Sequence, residues 1–316
     1  MKKLELLVIM VLFLVLASCA SAEQNDAVST VVVSNTVELS VPVETGTTTS
    51  TVEPVIVPTS TVVPTLVYGS DWKKWPIIPE AISPAMKLLY QEGIKEGNDI
   101  HRFSKIGDCQ NVPGYFLARF DIEGGYLLPS DQQYLNETVV WYAESWKRFP
   151  PSVHGGQNIV GVQLKNPLIK YDNNGQDQCK KGESYLDCEI RLWNPSVVVI
   201  SFEELWTGET DVYGQNMEKL VLYLLDKKIV PILAMTAINE KANNGISQLA
   251  AKYQLPVWNL WSALQPLSGH GIWDGFHLTI WGDIFDFTVN DKSGWHMRNL
   301  TALQAIDVVR RGLEDR

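Results

Sequence analysis

The run Val197-Val198-Val199-Ile200 is the strongest constraint in this chain: four apolar residues without alternation, with Pro195-Ser196 before them and Ser201 after. Such a run is too short for a helix. Its lack of a polar face calls for cover on both sides, which predicts a buried parallel strand. Met217, Leu220, Val221, Leu224 and Leu225 then recur at helical spacing within 216–226, and Ile229-Val230-Pro231-Ile232-Leu233-Ala234 is a second apolar run, strand-like despite its proline. Together they read as a βαβ unit. The pattern repeats with Ile246, Leu249, Ala250 and Tyr253 on one helical face and Leu255-Pro256-Val257-Trp258-Asn259-Leu260 after them. Ala302, Leu303, Ile306 and Val309 predict a closing helix over 298–311. Strands alternating with helices predict an α/β domain, a three-layer, doubly wound parallel sheet with its site at the carboxyl ends of the strands. No internal repeat or second domain is evident.

The two ends of the chain differ in kind. Met1-Lys2-Lys3 followed by the apolar stretch Leu6 to Leu16 has the length of an export signal rather than of a membrane span. Leu16-Ala17-Ser18-Cys19 resembles the lipobox of bacterial lipoproteins. That resemblance implies cleavage after residue 18, acylation of Cys19, and a protein anchored in the lipid bilayer on the extracytoplasmic face of a cell membrane. Residues 19–70 are rich in Thr, Val, Ser and Pro, with Thr47-Thr48-Thr49-Ser50-Thr51 and with Pro54, Pro58 and Pro64 breaking any periodicity, and read as a disordered linker. Pieces such as Val31-Val32-Val33 have strand propensity.

Residues 71–316 suffice for one large domain and hold all eleven tryptophans. The net charge of −10 gives no support for nucleic acid or anionic headgroups as partners. Export to an oxidising space, together with the close spacing of Cys179 and Cys188 after a polar loop, predicts a disulfide between them. Once Cys19 is lipidated, Cys109 is the odd cysteine.

Two segments carry chemistry. Phe103-Ser104-Lys105-Ile106-Gly107-Asp108-Cys109 is a hydrophobic lead, a tight Gly-Asp turn and a nucleophile-type residue; Asp274-Gly275-Phe276-His277 places a carboxylate three residues before an imidazole. A carboxylate so placed fixes the imidazole tautomer, leaving the other nitrogen to face a nucleophile. The combination resembles the SGNH (GDSL-type) hydrolase family, whose first block ends in a serine and whose last supplies an Asp-x-x-His pair. Cys179, Cys188 and the tail Met297-Arg298-Asn299-Leu300 resemble those of exported bacterial members, so the likeness runs from about Ile100 to Arg316. It implies a flavodoxin-like SGNH domain acting on an acyl ester or acetylated glycan. Cys109 would be the nucleophile, His277 the general base and Asp274 its orienting partner, with the backbone N–H groups of Cys109 and Gly161 at the oxyanion.

The departures are specific. Cys109 stands where the family has serine, and Leu205 takes the place of the oxyanion asparagine, whose loss typically lowers turnover by about 10² to 10³. The second-block glycine has three candidates, Gly155, Gly156 and Gly161, and Glu203 and Glu204 add negative charge near the oxyanion position. Three readings follow: a Cys-dependent ester hydrolase, a catalytically inactive surface protein that binds a glycan or another ligand, or a redox or thiol-capture role for Cys109. No metal is expected from the scattered His101, His154, His270 and His296, and no phosphate-binding loop or dinucleotide fingerprint calls for a cofactor. The sequence assigns no oligomeric state.

Overall fold

The computed structural model describes residues 66–167, 175–202, 205–280, 282, 284–289 and 293–314. The signal segment 1–18, Cys19, Val31-Val32-Val33, and Glu203 with Glu204 lie outside the described residues. The helices are α1 (Pro84–Glu96), α2 (Leu135–Trp141), α3 (Tyr185–Trp193), α4 (Thr210–Asp226), α5 (Glu240–Tyr253), α6 (Leu260–Leu264) and α7 (Gly294–Glu314). The strands are β1 (Asp99–Gly107), β2 (Tyr126–Leu127), β3 (Pro195–Ser201), β4 (Val230–Ala234), β5 (Val257–Trp258) and β6 (Phe285–Asp286).

β1, β3, β4 and β5 form one sheet in the order β1-β3-β4-β5, every pair parallel. Every residue of β3 and β4 is buried, as an unalternating apolar run requires when helices cover both faces. Removing each of those Val and Ile side chains from water contributes roughly 1.5–3 kcal/mol. Helix α7 packs against α1, α2 and α6, while α4 packs against α5. On the outer side of β1, Val153 pairs in parallel with Gly107, and Ser152 O accepts the Gly107 N–H at 3.2 Å. A further chain segment therefore runs beside β1. β2 and β6 make a separate parallel pair.

Local chemistry sets the element ends. Ser83 caps α1 by accepting the Met86 N–H, Pro84 follows it with its φ already helical, and Gly97 closes the helix at φ 102°. Residues just before 71 already pack on the domain: the Tyr68 ring lies 4.4 Å from Trp75, and its hydroxyl donates to Leu255 O at the sheet edge. Cys179 and Cys188 are disulfide-bonded, their Cα atoms 5.2 Å apart. Among the described residues, no helix is long and apolar enough to cross a membrane.

Candidate functional site at the carboxyl ends of the strands

β1 ends at Gly107, directly opposite Ser201 at the end of β3. Asp108 then caps a short 3-10 turn, Cys109–Asn111, by accepting the Gln110 N–H at 3.0 Å. Asn111 Nδ2 donates to Ser201 O at 2.8 Å and so ties this turn to β3. Arg298 of α7 lies behind both: its Nη2 donates to Ser201 Oγ at 3.0 Å and to Asn111 Oδ1 at 3.4 Å. The guanidinium is fully buried against the rings of Phe116, Trp258 and Trp295, at 4.6, 5.3 and 5.6 Å. A cation in such an aromatic box is attracted by the ring faces, which offsets part of its desolvation.

Asp274 and His277 are joined as the spacing predicts. Gly275 turns the chain at φ 86°, and Trp273 N donates to His277 O at 3.1 Å, closing a tight loop. Asp274 Oδ1 accepts the N–H groups of Phe276 and His277 at 3.0 and 2.7 Å, and Oδ2 accepts His277 Nδ1 at 2.6 Å. Burial works against ionisation of Asp274, but the hydrogen bonds from the His277 ring and from the two backbone N–H groups outweigh it and hold the carboxyl below the usual range. With Nδ1 donating to Asp274, the lone pair of His277 sits on Nε2. That atom is buried and makes no hydrogen bond within the protein.

Two of the expected site residues are placed otherwise than their spacing suggests. Cys109 opens the 3-10 turn after β1, but its sulfur is not hydrogen-bonded to His277 Nε2, which is buried without a partner. The Gly161 N–H donates to Asn158 Oδ1 at 2.8 Å within its own 3-10 turn, which removes it as an oxyanion donor. Gly155 and Gly156 follow Val153, the residue paired beside Gly107. Leu205 is 50% exposed and offers no donor.

The other histidines sit apart from this centre. His154 is buried with Nδ1 against Gly155 O at 2.8 Å, and burial pushes it down to about 4; His101 lies over Trp141, and His270 is exposed. Among the described residues, no group of three or more His, Cys, Asp or Glu side chains is placed to hold a metal. Sequence reasoning overlooked Gln110, Asn111, Gln157, Trp206 and Arg298. Position in the turn after a nucleophile-type residue was a signal for Gln110, whereas Arg298 is placed by the long-range packing of α7 beside β5, from which its Nη2 reaches Ser201. No protein-family model, curated protein or solved structure matches this chain.

Proposed function

We propose that this chain is an exported, lipid-anchored surface protein that keeps an SGNH-type doubly wound scaffold and serves by binding a ligand rather than by hydrolysing one. One observation carries this reading: the base oriented by Asp274 faces no nucleophile, because His277 Nε2 is buried and makes no hydrogen bond to Cys109 or to any other described group. A general base must lie within hydrogen-bond reach of the proton it takes. Support for the scaffold comes from the Gly-Asp and Asp-x-x-His blocks and from a parallel sheet in the order β1-β3-β4-β5, with residues 152–153 beside β1. The anchor reading rests on residues 1–19, and its partner is the lipid bilayer through Cys19.

A second reading, ester hydrolysis of an acyl ester or acetylated glycan, is favoured by the intact Asp274–His277 pair and requires Cys109 as a free thiol within reach of His277. Hydrolysis of a short-chain aryl acetate by the full chain in detergent separates the two, measured with and without a thiol reductant and beside Cys109→Ala and His277→Ala. The binding reading expects no turnover above that of His277→Ala under either condition. Turnover that appears on reduction and disappears in both variants would overturn it in favour of a Cys-His-Asp hydrolase.

A further inference from the structure

The main sheet ends at β5, and the outer edge of that strand is incompletely paired. Leu233 N donates to Pro256 O and Met235 N to Trp258 O, so residues 256 and 258 turn their backbone groups toward β4. These groups alternate in direction along a strand of a parallel pair, so the N–H and C=O of Val257 point the other way, off the edge of the sheet. On that outer side Leu255 O accepts the Tyr68 hydroxyl, and Asn259 N donates to Ile77 O at 2.8 Å. Residues 68–77 thus strap the edge on both sides of Val257, yet among the described residues none bonds its outward N–H or C=O. Val257 is nevertheless only 4% exposed. Buried backbone groups are nearly always paired, and an open strand edge is a template for another strand. A cavity of about 500 Å³ lies against Val257 here, with Leu66, Tyr68, Trp75, Pro76 and Pro79 in its walls.

We propose that Thr61-Val62-Val63-Pro64-Thr65 occupies this groove as a strand added to β5, pairing through its backbone with Val257. The place where the described chain starts names the occupant: Leu66, which follows Thr65 directly, lines the same cavity. At about 3.3 Å per residue the segment spans roughly 17 Å as a strand. The covalent tether therefore presents it to Val257 at an effective concentration in the millimolar range or above, an advantage that a second copy or a free peptide lacks. Thr61, Val62 and Val63 are β-branched, which favours extended backbone. Pro64 has no N–H, a loss that an outermost strand tolerates and that discourages pairing with a further one. The segment is uncharged, and the charged groups at the groove make no demand on it: Asp71 and Lys74 pair with each other at 3.0 Å, and Glu80 is exposed to water. Docking would close the β5 edge against other chains and withdraw residues 61–65 from the linker, so that its reach is counted from residue 60. The proposal does not depend on the ligand-binding reading.

The test is amide-resolved hydrogen exchange on the full chain in detergent, comparing wild type with two double variants. Val62→Pro with Val63→Pro makes three successive prolines with Pro64 and cannot pair as a strand; Val62→Thr with Val63→Thr keeps the β-branched backbone and its N–H groups. In wild type and in the threonine variant the Val257 amide should exchange about tenfold or more slowly than in the proline variant. The Asn259 amide, bonded to Ile77 O, should stay protected in all three. Fast exchange at Val257 in wild type would mean an open edge and overturns the proposal. Equal protection in the proline variant overturns it as well, assigning the cover to internal water or, where protection falls on dilution, to a second copy. Joint loss of protection at Val257 and Asn259 in the proline variant also counts against it, because the strap as a whole would then have loosened rather than one added strand. So does loss of protection at Val257 in the threonine variant, which would place the hold in the valine side chains instead of the backbone.

Discussion

A methyl group at residue 107 would lie 2.1 Å from Asn111 Nδ2 and 2.3 Å from the Ser201 carbonyl oxygen. The glycine of the Gly-Asp turn is thus required by the approach of β3 and of the Asn111 side chain, not by a left-handed backbone. Because the carbonyl belongs to a buried strand, it has nowhere to go. Gly107→Ala is expected to destabilise the domain by about 1–3 kcal/mol, the range for overpacking a close-packed interior, read as a lower denaturant midpoint with an unchanged slope. At this scale the sequence was half legible. Gly107, Asp108, Asp274 and His277 announced themselves by local spacing. The hydrogen bond that occupies Gly161 depends on a partner, Asn158, that spacing does not reveal.

Helix α3 shows what reading by elements captures and misses. Cys179 and Cys188 were legible as a staple because their short separation after a polar loop favours pairing. The helix ending in Trp193 was not, since its nine residues mix charged, aromatic and apolar side chains. Its start is set by Ser184 and Asp187, which cap each other's backbone N–H groups in a reciprocal box. Ser184→Ala should cost about 1 kcal/mol. Replacing both Cys179 and Cys188 by Ala should cost about 2–3 kcal/mol, as expected for a short closed loop, and both losses are readable by thermal melts at neutral pH. The apolar runs of β3 and β4 were legible because burial on both faces leaves a composition signal. The two-residue strands β2 and β6 carry none, being fixed by pairing between distant segments.

Over the whole molecule, two groups should shape stability against pH from opposite sides. Burial opposes ionisation of Asp187, but hydrogen bonds from Lys165, Ser184 and Tyr223 outweigh it and bring the carboxyl down to about 2 from an ordinary 3.8. Its contribution is complete above the unfolded value and lost as pH falls through about 2, so Asp187→Asn should flatten the acid limb between pH 4 and 2. Lys105 on β1 is fully buried with Nζ donating to Trp146 O at 2.9 Å; burial, with Arg148 nearby, pushes it down to about 7 from 10.5, partly countered by Asp121 and Glu189. Between pH 7 and 10.5 the unfolded chain holds a proton that the folded one has released, so stability rises with pH across that window. Lys105→Met should remove this rise. Thermal melts at several pH values between 7 and 10 would then show the wild-type melting temperature climbing by roughly 3 °C or more, the response of a domain this size to about 1 kcal/mol, while the variant stays level. A variant that keeps the climb would locate it in another group. A buried lysine two residues before Gly107, charged or neutral according to pH, means that the strand presenting the candidate site is held most firmly on the alkaline side of neutrality.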